Sequence, residues 1–467
     1  SGKQALMRYG SLVAGPLLCL IIFLAMPSSY VTADGSVAEF SQAGRACLGV
    51  LVWMAIWWCF ETAPISVTSL LPMVLFPLFG VCKPAAAMAP YASDTIFLFM
   101  GAFILAAGVT KWGLDRRIAL FVMSCIGATP KKIVFGIMLT TGTLSAFMSN
   151  TACAAMMVPV AIALVNLVHS TNDPNDKEAA VREHRFTICL LLALAYSASI
   201  GGMATLIGSP PNGIYMRFME QTYGTSVSIV DWMKVGVPVA VMMFLVAYFV
   251  LANIMFRDMG GEVPGGREWV KKELAGMGKM SRGEIAIGLC FLIAAVLWFT
   301  GSAIRGIEVD GCRPFRFLND AVIAMMMGVI SFLIPVDDKG DTAMDWETAN
   351  REISWDVLLL FGGGLSLAAA IQSTGVAALI GAQVTVLSGA PFWALLLGVV
   401  TLVTFATGVT SNTALAAMMM PLLAAVCSAL NLPAQPVLFA TALAASAAFI
   451  LPISTPPNAI VFGTGKL

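Results

Sequence analysis

Ser149-Asn150-Thr151-Ala152-Cys153-Ala154-Ala155-Met156-Met157-Val158-Pro159 returns later in the chain as Ser411-Asn412-Thr413-Ala414-Leu415-Ala416-Ala417-Met418-Met419-Met420-Pro421, with nine of the eleven positions identical. Ser-Asn-Thr is a polar triplet set into apolar runs, so shared composition does not explain the match. A hydrophobic segment interrupted at corresponding points of two halves points to the binding site of a transporter.

Working outward, the repeat extends. Phe99-Met100-Gly101-Ala102 matches Phe361-Gly362-Gly363-Gly364, and Ser145 matches Thr407. Ile207-Gly208-Ser209-Pro210-Pro211-Asn212-Gly213-Ile214 resembles Ile453-Ser454-Thr455-Pro456-Pro457-Asn458-Ala459-Ile460. Each half therefore supplies one Ser-Asn-Thr tip and one Pro-Pro-Asn loop.

The chain is 59% apolar and 11% charged, against roughly 25% charged in a soluble domain. Apolar runs of about 20 residues recur along its length, which predicts an all-α polytopic membrane protein. A net charge of zero gives no basis for nucleic-acid binding. Leu12–Pro27 is read as a retained helix, because many spans follow it. The ten cysteines are scattered without a C-x-x-C pair and read as small core residues. His169 and His184 flank a polar loop and read as solvated.

Spans are expected near 11–31, 43–60, 65–81, 94–110, 187–208, 234–256, 284–303, 319–335 and 354–372, with a last one from about 436. Broken pairs are expected over 118–168 and 380–428. The stretch Arg257–Glu284 is Gly-rich, carries Arg257, Arg267, Lys271, Lys272, Lys279 and Arg282, and reads as a linker between halves. Lys3, Arg8, Lys111, Arg116, Arg117, Lys177, Arg182, Arg185 and the linker fall on one side if each broken pair enters and leaves by the same face. The positive-inside bias then puts the N-terminus in the cytoplasm. The first broken pair opens inward and the second outward, as inverted repeats with two re-entrant helical hairpins require.

Such breaks free backbone N–H and C=O groups, which survive in a membrane only when buried in protein or lining a wet cavity. The half-helix that starts at each triplet offers an anion its N-terminal partial positive charge. Ser, Asn and Thr are also strong N-cap types. The half-helix before it offers a hard cation its terminal carbonyls, with Ser145 and Ser149 adding hydroxyls in the first half and Thr407, Thr410 and Asn412 in the second. The Pro-Pro-Asn loops are expected to close each cage. The four stretches involved, 140–168, 186–214, 399–430 and 437–465, contain no Asp, Glu, His, Lys or Arg. A bare anion there faces a large desolvation cost. Co-bound cations can offset it, and with no acidic side chain or histidine for a proton relay, sodium is the expected coupling ion. Small polar residues in apolar helices often only support packing; duplication together with the matching loops argues against that here. Glu61, in Trp57-Trp58-Cys59-Phe60-Glu61-Thr62-Ala63-Pro64, reads as an interfacial anchor, Asp94 as a helix cap, and the methionines as packing.

These motifs, with Trp58-Cys59-Phe60-Glu61-Thr62-Ala63-Pro64 leading to Leu71-Pro72, resemble the divalent anion/sodium symporter family, in particular bacterial dicarboxylate transporters of the INDY type. The resemblance covers nearly the whole chain. It implies a homodimer in the bacterial inner membrane, with a scaffold and a transport domain that moves as an elevator. Scaffold spans would be 1–117 and 284–379, and transport elements 118–256 and 380–467, joined by a cytoplasmic linker at 257–283. It implies one sodium site at Ser145, Ser149, Asn150 and Gly208, and another at Thr407, Thr410, Asn412 and Ser454. Substrate carboxylates would meet Ser149, Asn150, Thr151, Ser209 and Pro210 in one half, and Ser411, Asn412, Thr413, Thr455 and Pro456 in the other. It also implies a further span after Leu467. Two neutral tips suit a C4 dicarboxylate such as succinate, fumarate or malate, imported with sodium. A sodium-independent exchanger, a citrate or sulfate carrier, or a channel with re-entrant hairpins would share parts of this pattern. A membrane enzyme would need a nucleophile, base or metal cluster, and none is visible.

Overall fold

Prolines, glycines and caps set where the helices of this chain stop. The computed structural model describes residues 2–32, 36–127, 129–171, 176–260, 266–308, 312–384, 389–452 and 454–467. The helices run in order α1 (Gly2–Ala25), α2 (Gln42–Cys59), α3 (Ile65–Ser69), α4 (Leu71–Leu78), α5 (Pro84–Met88), α6 (Asp94–Lys111), α7 (Leu114–Cys125), α8 (Pro130–Ser145), α9 (Asn150–Thr171), α10 (Lys177–Gly202) and α11 (Pro210–Tyr223). They continue with α12 (Ile229–Phe249), α13 (Gly266–Gly276), α14 (Arg282–Arg305), α15 (Asp320–Ser331), α16 (Trp346–Glu352), α17 (Trp355–Ser373), α18 (Val376–Val384), α19 (Phe392–Thr407), α20 (Asn412–Ala429), α21 (Ala434–Ser446) and α22 (Pro456–Phe462). One short hairpin, β1 (Ser29–Val31) against β2 (Val37–Glu39), pairs Tyr30 with Ala38.

Among the described residues, seven helices are long and apolar enough to cross a membrane, including Asn150–His169 and Asn412–Ala429. The starts follow capping chemistry. Ser228 and Asp231 form a capping box at α12, and Ser281 and Glu284 another at α14. Asp176, Asn319 and Asp345 accept backbone N–H groups at α10, α15 and α16. Two expected features take a finer form. The span at 65–81 is two short helices with a break at Leu70, ahead of Pro72. The linker after Arg257 is not featureless, because α13 forms within it.

The chain divides into two units. The first holds residues 1–96, 210–227 and 354–450. Its centre is α17, packed against α2, α3, α4, α11, α18 and α20. The glycine run of α17 allows this: a side chain at Gly363 would collide with the Ser69 carbonyl. The second unit holds residues 97–209, 228–353 and 451–467. There α10 packs against α8, α9, α12 and α22. The matching glycine of the other half, Gly101 in α6, meets the backbone of Ala324 in α15. The two members of the repeated Phe-x-Gly-x phrase thus serve the same purpose, close helix approach.

The helices that follow the Pro-Pro-Asn loops are exchanged between the halves. In the first unit, α11 of the first half packs on α20 and α21 of the second. Tyr215 stands edge-on to Phe439 with ring centroids 5.5 Å apart. In the second unit, α22 of the second half packs on α9 and α10 of the first.

Candidate functional site

The first hairpin turns at Ala146–Ser149. Helix α8 ends at Ser145, Met148 N–H still reaches the Leu144 carbonyl at 3.0 Å, and α9 starts at Asn150. Ser149 caps α9, its hydroxyl accepting from Ala152 N–H at 3.3 Å. Thr151 is exposed at the start of the helix.

Behind this turn lies a ring of oxygens. Ser145 is fully buried, and its hydroxyl lies 2.6 Å from both Asn150 Oδ1 and the Ala198 carbonyl. A hydroxyl has one proton, so it can bond only one of these two acceptors at a time. Turned about its amide, Asn150 would donate through nitrogen to Ser145 Oγ at 2.6 Å, Ala198 O at 3.1 Å and Gly208 O at 3.2 Å. The Asn150 head therefore sits among three oxygens. Either its NH₂ together with the Ser145 hydroxyl proton satisfies them, or a cation does, with Oδ1 as a fourth ligand. Carbonyl, hydroxyl and amide oxygens are the donor set of a hard cation.

Two glycines leave room for this ring. A side chain at Gly202 would meet Asn150 Oδ1 at 2.5 Å and Gly208 O at 2.9 Å. Thr205 ties the ring together: its hydroxyl donates to the Ala146 carbonyl and accepts from Gly208 N–H at 3.2 Å. That bond fixes the end of the first half-helix against the broken segment after α10. Gly202, Thr205 and the Ala198 carbonyl were absent from the sequence expectations. The Gly201-Gly202 pair and one hydroxyl in a broken apolar segment were the available signals.

The second tip repeats the central pattern. Thr407, buried at the end of α19, places its hydroxyl 2.8 Å from Asn412 Oδ1 and 2.6 Å from the Ala445 carbonyl. Again one proton stands between two acceptors. Thr410 donates to Ala406 O at 3.0 Å, which leaves only its lone pairs for another partner. Ser411 precedes α20 without a side-chain cap bond, unlike Ser149. Thr413 is half-buried in the first turn.

The loop residues divide differently in the two halves. Gly208 belongs to the ring of its own half, and Ser209 is buried beside it, just before Pro210 opens α11. Ser454, Thr455 and Pro456 belong to the second unit, whereas Thr407, Thr410 and Asn412 belong to the first. Ser454 is bonded locally, its hydroxyl donating to Leu451 O at 2.6 Å, and Asn458 donates to the same carbonyl at 3.1 Å. Ile453 lies outside the described residues. Asp94 acts as expected, bonding Thr95 N–H at 3.0 Å at the start of α6, and it also holds Arg217 at 3.2 Å. Glu61 sits in the left-handed region at φ 45° between α2 and α3. His169 is exposed and pairs with Glu183 at 2.8 Å. Among the described residues no three His, Cys, Asp or Glu side chains cluster as a metal site.

Residues 16–467 match the family described as the sodium:sulfate symporter transmembrane region. A protein of Staphylococcus saprophyticus named sodium-dependent dicarboxylate transporter SdcS is 36% identical over 458 residues, which is 98% of this chain and 85% of the relative. Among solved structures, Neisseria gonorrhoeae MtrF aligns with a TM-score of 0.58 at 12% identity, over 99% of this chain and 88% of that one. Alcanivorax borkumensis YdaH aligns with a TM-score of 0.55 at 11% identity, over 99% and 91%. At such identities the likeness is one of fold alone. Paired oxygen-lined tips in an apolar helical chain, and a family match over nearly its full length, lead to one conclusion: the chain belongs to the sodium:sulfate symporter family, the divalent anion/sodium symporters, and is a multi-pass membrane transporter.

Proposed function

We propose that this protein imports C4 dicarboxylates such as succinate, fumarate or malate by symport with sodium. The observation that carries the reading is the ring of oxygens at each tip. The Asn150 head lies against Ser145 Oγ and the Ala198 and Gly208 carbonyls, and the Thr407 hydroxyl stands between Asn412 Oδ1 and the Ala445 carbonyl. Sodium satisfies such a ring, and its charge supplies what no basic side chain provides. The first ion is held by Ser145, Asn150 and the Gly208 carbonyl, with Ser149 beside them; the second by Thr407, Thr410 and Asn412. The start of α9, with Thr151 and Ser209, and the start of α20, with Ser411 and Thr413, each offer a substrate carboxylate their N–H groups. These segments carry no acidic side chain and no histidine to relay a proton, which favours sodium as the coupling ion.

The name of the Staphylococcus relative supports both the substrate class and the coupling ion. The reading extends to a homodimer in a bacterial inner membrane, N-terminus in the cytoplasm, with scaffold and transport elements divided as the family resemblance implies and moving as an elevator. Labelled succinate taken up by proteoliposomes tests it. Uptake above the equilibrium level is expected under an inward sodium gradient and not in choline buffer. Equal uptake in choline, with no counter-substrate loaded, would overturn the coupling and favour exchange.

A further inference from the structure

We propose that the groove between α7 and α13 holds an anionic phospholipid, with its phosphate at Lys271 and its acyl chains on the apolar wall of α7. The groove encloses about 600 Å³. Leu114, Ile118, Phe121 and Met280 form its apolar lining, and Arg117 and Lys271 its basic lining. Phe121 is 60% exposed and Ile118 38%, although the opposite side of α7 is buried through Ala119, Leu120 and Met123. A helix with one apolar side packed inward and a second apolar strip left open suits the membrane interface. Its position agrees: α7 begins three residues after the span Pro84–Lys111 ends.

Charge identifies the occupant. Arg117 is fully engaged. It holds the Glu284 carboxylate at 2.6 and 3.2 Å and donates to the Gly278 and Met277 carbonyls. Arg116 is paired with Glu273 at 2.9 Å and Arg282 with Asp338 at 3.6 Å. Those pairs take up the neighbouring Glu273, Glu284 and Asp338. Lys271, Lys272 and Lys279 have no carboxylate partner within ion-pair distance among the described residues. Arg267 lines the adjoining cleft and adds to the same sign. Surplus cations beside exposed aliphatic and aromatic side chains at the end of a span fit a lipid with a negative headgroup. A zwitterionic lipid fits only the apolar half, and a free phosphate only the basic half.

The test is native mass spectrometry of the full chain in detergent, with phosphatidylglycerol, phosphatidylcholine of the same acyl chains, and glycerol phosphate as probes. Lys271→Ala is compared with Lys83→Ala, an exposed lysine at the opposite end of the span Pro84–Lys111. Phosphatidylglycerol should be retained about tenfold more tightly than phosphatidylcholine. Losing one juxtamembrane lysine should cost about fivefold of that preference, with Lys83→Ala unchanged. A second variant, Phe121→Gln, should weaken both lipids alike and leave their ratio intact. Equal retention of the two lipids, an unaltered ratio in Lys271→Ala, or glycerol phosphate binding as well as the intact lipid would each overturn the proposal.

Discussion

Ser145 and Thr407 each set one hydroxyl between an asparagine and a backbone carbonyl, and that oxygen cluster is the smallest unit of the function proposed here. Asn150 and Asn412 complete both rings. A hydrogen bond to a charged partner is worth about 1.5–3 kcal/mol, so Asn150→Ala or Asn412→Ala should weaken binding roughly tenfold to over a hundredfold. Uptake at matched expression checks this; near-normal uptake by either variant would return that asparagine to a packing role. Thr205 makes a separate prediction. It touches no proposed substrate atom but ties Ala146 O to Gly208 N–H. Thr205→Val leaves both groups buried without that partner and should lower sodium affinity by about tenfold, whereas Thr205→Ser should restore it. Equal sodium affinity in the valine variant would show that the tie does not shape the ring. The asparagines and hydroxyls of the tips were legible because polar residues stand out in apolar helices and here stand out twice. The carbonyls of Ala198 and Ala445 were not, because a backbone oxygen can belong to any residue type. Only the fold selects which one points inward.

Helices α8 and α9, and α19 and α20, form the two hairpins that the repeated phrase announces. Their breaks fall where the sequence places them, within a few residues. What no motif revealed is the exchange that puts α11 on the second hairpin and α22 on the first. Hydrophobic pattern says that a helix is buried and not which neighbour buries it. The same limit hid α13 inside the basic linker, where charged residues mask an amphipathic turn. The exchange makes α11 a structural part of the second tip's surroundings. Tyr215 is buried there against Phe439. Tyr215→Ala should destabilise the protein by about 3–5 kcal/mol, the range for large-to-small aromatic changes in a core. Tyr215→Phe keeps the ring, loses only the hydroxyl bond to Gln435 and should cost about 1 kcal/mol. Thermal unfolding of the purified protein decides, and an unchanged midpoint for the alanine variant would place α11 outside the core.

At the scale of the whole molecule, composition alone set the class: 59% apolar residues with 11% charged leave no other home than a membrane. Two units, each containing one tip, carry the duplicated site. The claim that joins the scales is that sodium supplies the positive charge which no side chain in these segments provides. By linkage, sodium must then raise substrate affinity by the same factor that substrate raises sodium affinity. Ser145→Ala and Thr407→Ala should weaken apparent succinate affinity through the cation, and high sodium should partly refill the weakened site by mass action. The most direct test is succinate binding to the purified protein, titrated at low and high sodium with ionic strength held by choline. Affinity that rises steeply with sodium, and that falls in both variants at low sodium with recovery at high sodium, is the predicted result. A succinate affinity that stays constant across sodium concentrations in the wild type would contradict the account and leave the helix ends alone to hold the anion.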